Sequence, residues 1–344
     1  MYYTSDMDNA IIPKNNLGDE KMIPNEEQLK RLFCGVVSWE KSENGLIPLR
    51  FTNEQMSILA QNERFAVRSK SSAGMRFSCE TDAARLEAEL FLFPGSANDL
   101  YGFDLYTDGR LYGHKEGRLE NGTEVALKFD LPAGHKKIDL YFPTLVGASI
   151  KSFALPNATY ASPVRCKRLF CFGDSITQGY TVHFPSLCYT NTIARELGME
   201  LTDFAIGGDT FHPELLDPAL TGQADLILIA YGTNDWSNKQ LPDAVRDAEA
   251  FYERISTIAD GVPVFSLMPI WRADSGKQVS SNISFDDWRG LLSSIAAKYP
   301  AIRVIPGESL FPQVAELFED GKIHPNEIGS MIYTSRLLET IRKH

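Results

Sequence analysis

The chain has 344 residues, more than one ordinary domain needs, so two domains are expected. Its apolar fraction of 43% is ample for packed cores, and its net charge of -11 argues against nucleic acid or an anionic membrane surface as a partner. No apolar run approaches the length of a membrane span. Residues 1–23 are polar and lack the apolar stretch of a signal peptide, so a cytoplasmic protein is expected, or a secreted one if a leader precedes the given chain. Five cysteines (Cys34, Cys79, Cys166, Cys171 and Cys188) are odd in number and show no CxxC spacing, which reads as free thiols.

Residues 1–25 read as a loose arm. Residues 26–160 have the texture of β structure. Short runs rich in Val, Phe, Tyr and Leu recur at 33–39, 65–69, 86–93, 102–106, 125–131, 137–142 and 150–155. Asn44-Gly45, Pro94-Gly95, Asp108-Gly109 and Asn121-Gly122 separate them as turn formers. This pattern predicts an all-β sandwich, jelly-roll-like, and this half carries no catalytic constellation.

From 161 to 344 strand-like runs alternate with helix-like ones. Residues 169–172, 201–206, 224–231, 262–267 and 302–305 read as strands. Helices are predicted around 185–197, stopped by Gly198, after Pro242, and after Ser284 with Asp287 as a capping box. A last helix starts at Asn326, with Ile328, Met331, Ile332, Leu338 and Ile341 facing inward. Five strands separated by helices predict an α/β fold, a parallel five-stranded sheet flanked by helices.

Polar residues gather where these strands end. Gly173-Asp174-Ser175 breaks the first strand abruptly and leaves a hydroxyl at its carboxyl end, where parallel sheets place ligands. Taken alone, Asp174 and Ser175 could simply cap a helix. Gly207-Gly208-Asp209-Thr210 follows the second strand, Gly232-Thr233-Asn234-Asp235 the third, and Asp320-Gly321-Lys322-Ile323-His324-Pro325-Asn326 comes after the fifth. A serine, an exposed backbone N–H, an amide and a histidine at one sheet edge are the parts acyl transfer needs. Trp236, Tyr180 and Tyr189 are candidates for a pocket lining, the tyrosines equally for the core, and His183 and His212 for surface or rim positions.

These blocks, in this order, resemble the four signature blocks of the SGNH (GDSL) hydrolases over about residues 166–344. Gly102-Phe103-Asp104-Leu105-Tyr106 resembles the GxDLY signature of a sandwich domain that precedes the hydrolase domain in a bacterial subgroup. The resemblance implies a flavodoxin-like hydrolase domain with Ser175 as nucleophile and His324 as general base. It implies an oxyanion hole from the Ser175 N–H, the Gly208 N–H and the Asn234 side chain, with Gly207 as the competing glycine. It implies no metal and no organic cofactor. One block departs from the pattern: the supporting acid usually stands three residues before the histidine, where this chain has Gly321. Asp320, one residue further back, is the candidate acid through a bulged loop and a looser pair; a backbone carbonyl in its place would leave a dyad. No Gly-x-Ser-x-Gly elbow occurs.

The expected function is a serine esterase acting on small acyl esters, in the first place a carbohydrate O-acetyl esterase with a small-molecule or oligosaccharide ester as substrate. A short-chain acyl esterase, thioesterase or lysophospholipase is the alternative. A carbohydrate-binding protein with an inactive hydrolase domain is the reading from another class. Whether the chain forms a homo-oligomer is left open.

Overall fold

The computed structural model describes residues 25–120, 122–164 and 166–343. The arm expected at 1–25 lies outside these residues apart from Asn25. That residue caps the helix Glu26–Arg31 by exchanging side-chain and backbone hydrogen bonds with Gln28.

The first strands are β1 (Phe33–Cys34), β2 (Ser38–Ser42), β3 (Gly45–Leu49), β4 (Arg76–Thr81), β5 (Arg85–Pro94) and β6 (Leu100–Thr107). They are followed by β7 (Arg110–Arg118), β8 (Thr123–Asp130), β9 (Lys136–Tyr141), β10 (Val146–Ala154) and β11 (Tyr160–Ala161). Two antiparallel sheets result, one in the order β1-β4-β9-β6-β7 with β11 also on β4, the other β2-β3-β10-β5-β8. Strict alternation explains how they pack. On β5, Leu86, Ala88, Leu90 and Leu92 are buried while Glu89 faces solvent, and they share one core with Phe77, Phe103, Leu140 and Phe153 of both sheets.

The expected strand at 65–69 is instead the end of a helix, Glu63–Arg68. Asn62 accepts from the N–H groups of Arg64 and Phe65, and this cap overrides a short apolar run whose type periodicity cannot decide. With the helix Asn53–Leu59 it lies outside both antiparallel sheets; Phe51 and Leu59 join the core of the sheet that follows.

That sheet contains β12 (Arg168–Gly173), β13 (Glu200–Asp203), β14 (Leu226–Ala230), β15 (Val264–Leu267) and β16 (Ile302–Ile305). All are parallel, in the order β13-β12-β14-β15-β16. This is the flavodoxin-like order, whose switch point lies at the first strand in sequence, β12. Central β14 is buried on both faces. Ile227 and Ile229 belong to the core under helices Leu241–Ala259 and Phe285–Ala296, and Leu226 and Leu228 to the core under Tyr189–Glu196 and Glu327–Arg342.

Three local expectations shift. A 3-10 turn, Pro185–Leu187, precedes the helix predicted from 185, which itself begins at Tyr189. At Ser284 the Asp287 N–H is capped, but the Asp287 carboxylate accepts from the Ser284 hydroxyl rather than from its N–H. On the last helix Ile328 and Met331 are 63% exposed. Leu338 and Ile341 face inward as expected, but at the start of the helix the inward stripe runs through Gly329, Ser330 and Tyr333, because the helix approaches so closely that a methyl group on Gly329 would meet the Leu317 carbonyl at 2.4 Å.

Gly102 to Tyr106 lie on β6, with Phe103 and Leu105 in the core between the antiparallel sheets and Gly102 and Asp104 turned to the loop before the helix Tyr189–Glu196. A methyl group on Gly102 would lie 2.4 Å from the His183 carbonyl. Asp104, fully buried, accepts from the Ser186 N–H at 2.8 Å and bonds His114 Nδ1 at 2.6 Å. The spacing thus fits a docking contact between the antiparallel sheets and the parallel one.

Among the described residues no helix is long and apolar enough to cross a membrane. Cys34, Cys79, Cys171 and Cys188 are buried free thiols, and Cys166 is an exposed one.

Candidate active site

Strand β12 ends at Gly173, where any side chain would strike Thr177. Asp174 then leaves the strand and accepts from the Ile176 N–H at 3.0 Å, capping the short helix Ser175–Gln178 that Gly179, at φ +87°, terminates. Ser175 therefore stands half-buried at the sheet's carboxyl edge. As the first residue of its helix it keeps a backbone N–H without an intrahelical partner. Asp174 is buried, and burial pushes its carboxyl up to about 7, a position suited to capping and not to approaching a ligand.

His324 arrives from the loop between β16 and the last helix. The loop closes on itself through Glu319 N–H to His324 carbonyl (2.8 Å) and Asn326 N–H to Leu317 carbonyl (2.9 Å). His324 Nε2 lies 2.8 Å from Ser175 Oγ, and His324 Nδ1 lies 2.7 Å from Asp320 Oδ2. The departure noted in the sequence is absorbed here. Gly321 takes φ +65°, and Asp320 Oδ1 accepts from the N–H groups of Lys322, Ile323 and His324 at 2.9, 2.9 and 3.2 Å. The acid four residues before the histidine reaches the ring, and the pair is tight where a looser one was expected.

Both groups have shifted protonation equilibria. Burial drives the His324 imidazolium below its ordinary pKa, and Asp320 offsets this only in part. Burial alone would raise Asp320, but the Ile323 N–H, the imidazole and the Lys322 N–H outweigh it and hold the carboxyl below its ordinary value. At neutral pH this leaves an uncharged imidazole between a hydroxyl and a carboxylate. The Tyr180 ring packs on His324 with centroids 4.7 Å apart.

The two glycines after β13 have different surroundings. Gly207 is buried and its N–H donates to Gln178 Oε1 at 2.7 Å, so that donor is occupied. Gly208 is exposed, has φ +83°, and its N–H has no partner among the described residues. Asn234, in the first turn of the helix Thr233–Asn238, gives one amide N–H to the Asp209 carbonyl at 2.9 Å, which leaves the second uncommitted. Ser175, Gly208 and Asn234 thus come from three neighbouring strand ends with one donor each unspent.

Around the serine, a small depression open to solvent is lined by Ile176, Tyr180, Val182, Tyr189 and Tyr333. Trp236, a candidate for such a lining, is fully buried instead, with its indole N–H on the Ile283 carbonyl and the Arg272 guanidinium over its ring. His183 is half-buried 3.7 Å from Glu116, and His212 pairs with Asp209 at 3.4 Å. Among the described residues no group of His, Cys, Asp and Glu has the geometry to hold a metal ion. Sequence reasoning missed Gln178, whose amide also donates to Ser71 Oγ and the Thr144 carbonyl at 3.0 Å each, and Arg68, whose Nη1 donates to the Gly207 carbonyl. Neither belongs to a motif; both act through contacts distant in sequence.

Residues 171–332 match the GDSL-like lipase/acylhydrolase family. No curated protein matches the sequence. Among solved structures, a salicylyl-acyltransferase, SsfX3, from a tetracycline biosynthetic pathway is 21% identical with a TM-score of 0.77, over 90% of this chain and 94% of that one. A family two carbohydrate esterase from Clostridium thermocellum, in complex with cellohexaose, is 15% identical with a TM-score of 0.62, over 90% and 98%. An acetyl xylan esterase from the rumen bacterium Butyrivibrio proteoclasticus is 13% identical with a TM-score of 0.57, over 95% and 96%. At these identities the likeness is one of fold, and it extends over the antiparallel sheets as well as the parallel one.

Proposed function

Since residues 171–332 form a GDSL-like lipase/acylhydrolase domain, we propose that the chain is a serine esterase that removes small acyl groups, acetyl in the first place, from carbohydrate esters. The observation that carries the reading is the continuous relay from Ser175 Oγ through His324 to Asp320, at 2.8 and 2.7 Å, beside three uncommitted N–H donors. Ser175 attacks the ester carbonyl while His324 Nε2 takes its proton. The Ser175 and Gly208 N–H groups and the Asn234 amide hold the oxyanion. The tetrahedral intermediate collapses, and His324 returns the proton to the departing alcohol. His324 next deprotonates water, which attacks the acyl-serine and releases the acid and the free serine. Asp320 keeps the Nδ1 proton in place and balances the imidazolium formed in each half.

A small acyl group is favoured by the small, tyrosine-lined depression at Ser175. The carbohydrate reading is supported by the two esterases of similar fold whose names specify carbohydrate or xylan esters. The salicylyl-acyltransferase of similar fold points to a second outcome, in which an alcohol instead of water receives the acyl group.

Incubation with p-nitrophenyl acetate tests the reading. The wild type should release nitrophenolate in step with acetate, and Ser175→Ala should lose roughly 10⁴-fold or more of the rate with an unchanged circular-dichroism spectrum. A fluorophosphonate should label Ser175 alone. A protein that only binds carbohydrate gives no signal above background. Acetylated acceptor formed at the expense of acetate would move the assignment to acyl transfer. Activity surviving in Ser175→Ala would overturn the mechanism.

A further inference from the structure

Arg68 closes the helix Glu63–Arg68, far from the serine in sequence and beside it in space. Its Nη1 donates to the Gly207 carbonyl. A methyl group on Gly208 would lie 2.7 Å from that nitrogen, and one on Gly207 would lie 3.9 Å from it and 3.7 Å from Ser175 Cβ. The guanidinium therefore stands over the turn that carries the Gly208 donor. Among the described residues its remaining N–H groups have no acceptor and no carboxylate pairs with it. Arg64, one turn earlier, is exposed and likewise without a carboxylate partner.

Like charges at this spacing disfavour a helix, and no carboxylate among the described residues pairs with either arginine, although Arg68 in the last turn is favoured by the helix C-terminus. They are two cations without carboxylate partners on a chain whose net charge is -11. Burial and the Arg64 charge both work against the charged form of Arg68, whereas Tyr180, whose ring rests on His324, favours it. A half-buried guanidinium with free donors at the mouth of a site is poised for a carboxylate, which it can take in two parallel hydrogen bonds.

We propose that Arg68 binds a carboxylate carried by the substrate, so that the preferred substrates are acyl esters of acidic sugars and not of neutral ones. This rests on the ester-hydrolase reading and deepens it. The N-terminal half then contributes a specificity-determining residue to a site whose reacting groups all come from the other half.

The test compares three esters: p-nitrophenyl acetate, an O-acetylated methyl glucuronoside and the matching O-acetylated methyl glucoside. Wild type should show kcat/KM about tenfold or more in favour of the acidic sugar, chiefly through KM, with the preference shrinking as salt is added. Arg68→Gln should bring the ratio of the two sugar esters close to one, whatever loss they share, and Arg68→Lys should keep part of it. Activity on p-nitrophenyl acetate without preference for the acidic sugar would overturn this proposal and leave the esterase reading standing. So would an equal loss on both sugars in Arg68→Gln with no change in their ratio, since the arginine would then only hold the Gly207–Gly208 turn. Inactivity on all three esters would overturn both.

Discussion

His324 sits between opposed influences, and their balance predicts a pH profile. Burial lowers its pKa more than Asp320 raises it, so the ring is uncharged at neutral pH and becomes protonated only below the ordinary histidine value of about 6.5. Because the proposed base must be neutral, kcat/KM for p-nitrophenyl acetate should fall on the acid side with an inflection below pH 6.5. Asp320→Asn separates two roles of one carboxyl group. The amide oxygen can still accept the three loop N–H groups, while the charge and the acceptor for Nδ1–H are lost. The loop should persist, kcat should fall by roughly 10³–10⁴, and the acid limb should move to lower pH because the raising influence is gone. The short pair argues for this larger loss; a looser loop would have implied less. An Asp320→Asn enzyme within threefold of wild type would reduce the triad to a dyad.

At the scale of the element, the turn Gly207–Gly208 is held from two sides. Gln178, buried on the helix that begins with Ser175, accepts the Gly207 N–H and donates to Ser71 and Thr144. It therefore ties the helix of the proposed nucleophile to the Gly207–Gly208 turn and both to the N-terminal half. Gln178→Ala would strand a buried N–H and a buried carbonyl, each costing about 1–3 kcal/mol. The expected result is a loss of stability of that order in urea unfolding, together with a kcat decrease of tenfold or so as the Gly208 donor drifts. Unchanged kcat in a destabilised variant would mean that the turn keeps its place without the amide. The helix Glu63–Arg68 acts at the same scale, since its cap at Asn62 sets where Arg68 emerges.

For the whole molecule, the deepest tie between its halves is Arg50, fully buried. Its guanidinium donates to the carbonyls of Asp203 and Ala205 at 2.6 and 2.8 Å, to the Ser71 carbonyl and hydroxyl at 3.0 and 2.8 Å, and to the Arg68 carbonyl at 3.3 Å. It joins the chain leaving β13 to the segment that supplies Arg68. Burial lowers the Arg50 pKa to about 10 and raises that of Asp203 to about 6, so both are ionised at pH 7. Arg50→Met should cost about 3–5 kcal/mol, because several buried acceptors lose their donor together. The pH dependence has a definite sign. A carboxyl whose pKa is raised by folding keeps its proton where the unfolded chain has lost it, so stability falls as pH rises through that window. Without Arg50 the Asp203 pKa rises further and the window widens, so urea midpoints should show a larger deficit at pH 8 than at pH 5. Equal deficits would mean that Arg50 acts through the carbonyls alone.

How much of this was legible beforehand follows from the range of the interactions. Alternation along β5, the apolar run of β14 and the abrupt Gly173-Asp174-Ser175 turn are local, so sequence by itself determined the antiparallel strands (though not the helix at 63–68), the order of strands and helices in the other half, and the strand ends at which Ser175, Gly208 and Asn234 stand. Only the tertiary structure shows that the Gly207 N–H is occupied and that the Gly208 N–H has no partner among the described residues, because the acceptor, Gln178, lies 29 residues away from Gly207. It alone showed that Gly321 lets Asp320 reach the imidazole, since a left-handed residue changes the reach of a loop without changing its length. Apolar composition misplaced the inner face at the start of the last helix, where close approach selects Gly329 and Ser330 and leaves Ile328 and Met331 outside. Arg50 and Arg68 carried no local signal. Their partners at Asp203 and Gly207 lie 153 and 139 residues further on, and what such a guanidinium meets is settled by packing between distant segments, which no sequence period records.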